Sequence, residues 1–238
     1  MVIDFHTHSG ASFDKSSLKE IREKMGRNGV KKAVIFPSTQ ESYQKLMQKN
    51  LENLENSGDF FIPFLRFDPR EIGYEELESL QKRFYGFKLH PRGENFDPLD
   101  KSLARIFEVI EKTGKPVIIH SRKENNQNTD PDRIIELANL YPKINFVFAH
   151  FANDSDAFFS RLRKLENAYV DTSIVSSPFI IERRVKEITS KRIIFGSDYP
   201  FSDQEIELLK VKKANISKEE EEDILYKNAE KLIKSSLL

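Results

Sequence analysis

The sequence predicts an α/β fold, a (β/α)8 TIM barrel formed by a single domain over residues 1–238, and three observations lead there. Eight short β-rich runs alternate with amphipathic stretches, with no linker or low-complexity break between them. Most of the runs are near-continuously apolar, as strands buried on both faces of a parallel sheet are. The length of 238 residues is close to the roughly 250 typical of such a barrel. An open doubly wound sheet uses the same alternation, but eight strands at this length favour closure.

The predicted strands are VIDFHTH (2–8), KKAVIFPS (31–38), FFIPFLRF (60–67), YGFKLH (85–90), KPVIIHS (115–121), INFVFAH (144–150), AYVDTSI (168–174) and RIIFGSD (192–198). Helical signals lie between them. In SSLKEIREKMGRNG (16–29) Leu18, Ile21 and Met25 share a face, and the pattern stops at Gly26 and Gly29. SLARIFEVIEKTG (102–114) gathers Leu103, Ile106, Phe107 and Ile110 on one side and closes on Gly114, a good C-cap. TDPDRIIELANLYP (129–142) reads as one helix, opened by Asp130 and Pro131 and ended before Pro142. The last segment, 217–238, offers Ser217 and Glu220 as a capping box, its acidic run placed where a helix dipole favours negative charge.

Composition narrows the function classes. Lys+Arg and Asp+Glu both total 38, so net charge is zero and no nucleic-acid partner is expected. No apolar run reaches the length of a membrane span, and the N-terminus lacks a basic stretch followed by an apolar one. Without cysteine there are neither disulfides nor thiolate metal sites. A cytoplasmic protein without a membrane partner is the expectation.

Every one of the five histidines falls at the C-terminal end of a predicted strand: His6 and His8, His90, His120 and His150. From His90 to His120 to His150 the steps are 30 residues each, one β/α unit, and Asp198 follows 48 residues on. His6, His8, His90, His120, His150 and Asp198 therefore return to one rim, where barrel enzymes keep their active sites. In a strand alternate side chains share a face, so His-x-His aims both rings at one point. Parity likewise pairs Lys88 with His90, Ile118 with His120, Phe148 with His150 and Gly196 with Asp198. Asp4 shares the parity of His6 and is expected inside the barrel as a hydrogen-bonding support. Imidazole and carboxylate are the ligands that zinc, manganese or iron takes when thiolate is absent.

These residues resemble the amidohydrolase superfamily, in its amidohydrolase-2 branch, which includes aminocarboxymuconate-semialdehyde decarboxylase and related decarboxylases and lactone hydrolases. The likeness runs through DFHTH (4–8), RFDP (66–69), GFKLHPRGENF (86–96), KPVIIHS, YPKINFVFAH (141–150), YVDTS (169–173), GSDYP (196–200) and ILYKNAEKLI (224–233). The resemblance implies that His6, His8, His120 and Asp198 hold one divalent metal, usually zinc, with Mn2+ or Fe2+ as alternatives. It makes His150 the catalytic partner and places His90 in the pocket lining. Lys88 faces the pore; a carboxylated lysine there would bridge a second metal in other branches, but the KLHP pattern favours one metal.

The expected reaction is hydrolysis of a lactone, ester or amide of a small acidic molecule, with Asp198 as base and His150 steadying the oxyanion. Non-oxidative decarboxylation of an aromatic or muconic acid at the same site is the alternative. Polymerase-and-histidinol-phosphatase-type phosphoesterases share the DFHTHS opening but finish with an Asp-x-His site, whereas Asp198 is followed by Tyr199 and Pro200. A barrel that binds a ligand and catalyses nothing is the remaining class. Arg66, Arg92, Arg122 and Lys123 lie at or beyond strand ends, where a guanidinium fork suits a carboxylate. The short chain leaves little for loops over the rim, so a homodimer partner could supply a wall.

Overall fold

The computed structural model describes residues 1–125 and 127–234. Residues 235–238 of the expected last helix lie outside the described residues. The eight expected strands are present: β1 (Ile3–Ser9), β2 (Lys32–Pro37), β3 (Phe61–Arg66), β4 (Gly86–Leu89), β5 (Val117–Ile119), β6 (Phe146–Phe148), β7 (Ala168–Asp171) and β8 (Ile193–Ile194). They pair in parallel in sequence order from β1 to β8. The ring closes where Phe5 N–H donates to Phe195 O, His8 N–H to Tyr199 O and Asp198 N–H to His6 O.

Among the described residues eleven α-helical segments surround the strands: α1 (Leu18–Arg27), α2 (Tyr43–Glu55), α3 (Tyr74–Leu80), α4 (Ala104–Thr113), α5 (Pro131–Ile134), α6 (Glu136–Leu140), α7 (Asp156–Leu162), α8 (Pro178–Ile188), α9 (Gln204–Lys213), α10 (Lys218–Glu222) and α11 (Asn228–Lys234). The expected capping box forms at Ser217 and Glu220, and a second one forms at Ser17 and Glu20. Gly114 ends α4 with φ +66°, a conformation glycine takes without steric cost. The single helix expected over 129–142 is instead divided at Ile135, whose N–H bonds back to Pro131 and Arg133.

Two apolar layers make the core. The larger lies between strands and helices and includes Phe87, Leu89, Val117, Ile119, Phe146 and Phe148. The smaller fills the barrel with Ile3, Phe5, Val34, Phe36, Ile62, Phe64, Ile118, Val147 and Tyr169, and Ala229 and Leu232 of α11 join it. Membership of these layers tells which way each strand residue points, and it corrects two parity expectations. The β1–β2 register shifts between Asp4 and Thr7. Ile3 and Phe5 both enter the barrel interior, so Asp4 between them points outward and accepts from Gln204 Nε2 of α9 at 2.9 Å, and the shift lets His6 turn inward directly after Phe5. Asp4 still supports the site, accepting from His6 N–H at 3.1 Å and Ser197 N–H at 3.0 Å. On β6, Phe148 faces the helices, so plain alternation would send His150 outward as well.

Candidate metal centre

The ladders stop short of the residues that matter. β4 ends at Leu89, β5 at Ile119, β6 at Phe148 and β8 at Ile194, leaving His90, His120, His150 and Asp198 on the segments just beyond. Their side chains turn in over the open end of the barrel, where His8, Arg66, His90, Arg92, His120, Arg122, His150, Asp198 and Phe201 line a cavity of about 320 Å³.

His6 and His8 aim as the His-x-His spacing requires. Their Nε2 atoms stand 3.2 Å apart, and Asp198 Oδ1 lies 3.2 Å from the first and 3.1 Å from the second. Four ligand atoms at zinc distances of 2.0–2.1 Å in a tetrahedron are about 3.3 Å from one another, so this trio fits a divalent ion. All three residues are buried. Gly196 permits the approach, because a Cβ there would meet His6 Cβ at 2.8 Å.

His120 stands outside the trio's cluster. Its Nδ1 is 2.9 Å from His150 Nε2, its ring stacks on His90 at 4.0 Å, and its buried Nε2 has no hydrogen-bond partner. A buried nitrogen left unsatisfied is costly, and at a metal centre it is a ready donor. His90 Nδ1 accepts from Gly93 N–H at 3.0 Å, leaving its ring as part of the pocket wall.

Asp171, at the end of β7, was not singled out in the sequence, yet it organises the centre. Its Oδ2 lies 2.7 Å from His6 Nδ1, which leaves Nε2 facing the cavity. Its Oδ1 accepts from His150 N–H at 3.0 Å and from the Ser173 hydroxyl at 2.5 Å. A carboxylate behind a ligating imidazole fixes the tautomer and raises ligand basicity. The available signal was its place in the YVDTS string at a strand end.

Protonation follows from burial and charge. Burial lowers His8 to about 3 and His150 to about 4, and puts His90 and His120 well below the usual histidine range. These rings are neutral near pH 7, as metal ligation requires. Burial pushes Asp198 up, but His6 and His150 outweigh it and hold the carboxyl well below its ordinary value. Burial and Lys88 push His6 down, yet Asp171 and Asp198 prevail and raise it. The two carboxylates thus call for a positive charge at this point. Lys88 is fully buried, with Nζ 3.3 Å from His6 Nε2 and 4.8 Å from the Phe36 ring centroid, and burial brings it down to about 7.

The expected anion grip is less free than its residue types suggest. Arg66 lines the cavity, but its guanidinium is spent on Glu94 at 2.6 Å, Pro37 O at 3.0 Å and Thr39 Oγ1 at 2.8 Å. Arg92 is half exposed and pairs with Glu124 at 2.5 Å, and Arg122 lies 3.8 Å from the same carboxylate. Lys123 points away, 3.5 Å from Asp132, and is not part of the cavity wall. Three guanidiniums against Glu94 and Glu124 leave one positive charge in excess on that wall.

Comparison with known proteins gives a family and a fold for the chain. The sequence profile of a family described as "Amidohydrolase" matches residues 3–234. No curated protein matches in sequence. Among solved structures, 5-carboxyvanillate decarboxylase from Sphingomonas paucimobilis superposes with a TM-score of 0.78 at 14% identity, covering 98% of each chain. A protein named as a 2-pyrone-4,6-dicarboxylic acid hydrolase from Pseudomonas putida gives 0.76 at 16% identity, covering 98% of this chain and 97% of the other. A dihydroxybenzoic acid decarboxylase from Polaromonas, with bound manganese, gives 0.75 at 14% identity, covering 98% and 96%.

Proposed function

The chain belongs to the amidohydrolase family and is a metal-dependent enzyme, and from that premise we propose that it hydrolyses a lactone, ester or amide bond in a small acidic molecule. The observation that carries this reading is the convergence of His6 Nε2, His8 Nε2 and Asp198 Oδ1 beneath a cavity walled by arginines. These three atoms would hold one divalent ion, zinc or manganese; His120 Nε2, buried and unpartnered but outside their cluster, is the candidate fourth donor. When bound, such an ion supplies an acidified water and a polarised carbonyl.

The chain's own groups divide the remaining work. Asp198 is held as a carboxylate, and its Oδ2, 3.9 Å from His150 Nδ1, is placed to receive a proton from water. His150, neutral and held by Ser173 Oγ at 3.0 Å from Nδ1, would steady developing negative charge through Nε2, exchanging its contact with His120 for the substrate. Arg92 meets the substrate's acidic group at the mouth, exchanging Glu124 for it. His8, His90, His120, His150 and Asp198 stand in their basic forms, which suits a reaction that begins by taking a proton.

Decarboxylation of an aromatic or muconic acid is the second reading, with one observation in its favour. Lys88 is fully buried with Nζ 3.3 Å from His6 Nε2, and burial lowers its pKa to about 7, so an amine able to give up and take back a proton stands beside the proposed ligands.

Metal analysis of the purified protein is the first test. About one zinc or manganese per chain supports the reading, two would promote Lys88 to a bridging role, and none after repletion would sink it. A panel of lactones, amides and aromatic or muconic acids, with CO2 release followed, separates the two reactions. For the substrate so found, R92A is expected to raise KM about 10-fold or more, the loss of one charge-assisted hydrogen bond, with kcat little changed. An unchanged KM would remove Arg92 from substrate binding.

A further inference from the structure

His150 opens a stretch of backbone with no parallel elsewhere in the described residues. His150, Phe151, Ala152, Asn153 and Asp154 have φ of +58°, +50°, +46°, +54° and +53° in succession, and none is glycine. L-residues enter this region singly, Asn and Asp most easily, because Cβ crowds the following carbonyl. Five in a row form a left-handed turn that must be held from outside. The turn has a consequence for the site. β6 alternation points Phe148 at the helices and Val147 into the barrel, so an extended chain would carry His150 outward. The turn brings its ring into the cavity instead, with Nε2 2.9 Å from His120 Nδ1.

The restraints are concentrated at the far end of the turn. Arg184 of α8 is 1% exposed, and its Nε donates to Asp154 Oδ1 at 2.6 Å. Its Nη2 donates to the Asp154 carbonyl at 2.7 Å and to Asp156 Oδ1 at 2.6 Å, and Nη1 donates to Glu187 at 2.5 Å. The guanidinium lies 4.0 Å from the ring centroid of Phe159, and Arg183 adds a contact to Asp154 Oδ2. Asn153 Oδ1 accepts from Lys123 N–H at 2.6 Å. At the near end, Asp171 receives the His150 N–H at 3.0 Å.

We propose that Arg184 is a positioning residue for His150: by gripping both the side chain and the carbonyl of Asp154 it keeps the left-handed turn closed and so aims the imidazole into the cavity. The value of aiming His150 rests on the function proposed above, but the geometric claim does not.

The test uses imidazole 1H–15N spectra of the full-length, metal-bound chain, assigned by single histidine substitutions. In R184Q the His150 signals are expected to move, with His120 following as its partner, while His6 and His8 and the bound metal stay as in the wild type. Adding A152G, which relaxes one left-handed position, is expected to bring the His150 signals back toward wild type even though it deletes a buried methyl. If Arg184 were merely structural, all histidine signals would move together and A152G would deepen the loss. Either of those results, or an unmoved His150 in R184Q, overturns the proposal. Should R184Q not fold, D154N weakens the same grip from the other side and carries the same expectations. Full activity in H150Q would remove His150 from catalysis without touching the spectroscopic result, so the two readings fail separately.

Discussion

His6 shows how much of the site is set by one side chain behind another. Its Nε2 faces the cavity because Asp171 occupies its Nδ1, and Asp171 in turn holds the backbone N–H of His150. D171N keeps the shape and removes the charge, so it should weaken metal binding about 10- to 100-fold, as read by competition with a chelating indicator. Burial pushes Asp171 up, but His6, His150 and Ser173 outweigh it and leave its pKa depressed. A depressed carboxyl contributes stability that is present above its unfolded value and lost as pH falls through the folded one. Below about pH 4, therefore, wild type should lose stability more steeply than D171N in denaturant titrations. The residue types proposed as ligands, and their return to one rim, were legible in the sequence because imidazole and carboxylate at strand ends have few other uses. Asp171 was not, since an aspartate at a strand end looks the same whether it supports a histidine or faces water.

Helix starts were legible where a cap carries its own chemistry. Ser217 with Glu220 forms the expected box, and Ser17 with Glu20 forms another from the same S-x-x-E spacing. Ser17 accepts from Glu20 N–H, so S17A should lower stability by about 1 kcal/mol, measured by urea unfolding, with metal affinity unchanged because α1 packs away from the ligands through Ile21 and Met25. Strand parity was a less reliable guide. It holds at β5, where Ile118 lies inside the barrel and His120 lines its mouth. It fails at β1, where a register shift intervenes, and beyond β6, where the left-handed turn takes over. Alternation describes a strand in unbroken register, whereas the β1–β2 ladder shifts between Asp4 and Thr7 and the chain after β6 takes a positive φ at His150 itself.

For the whole barrel, the metal is expected to act as a staple. Its proposed ligands come from β1 and from the segments after β5 and β8, so it ties distant parts of the chain together. At a free metal concentration 100-fold above Kd the gain is about 2.7 kcal/mol, so chelation should lower Tm by roughly 5–11 °C in a chain of this size. An unchanged Tm on chelation, in protein shown to have held metal, would mean the ion sits in a site that unfolding does not dismantle. By itself the sequence determined the barrel, its eight strands, the rim that gathers the histidines and the His-x-His pincer. Those follow from periodicity and chain order, which are local or nearly so. Tertiary structure alone decided that Arg66 is already paired, that Asp171 stands behind His6 and that His150 is turned inward. Each of these depends on which distant group fills the next 3 Å, and spacing along a chain does not contain that.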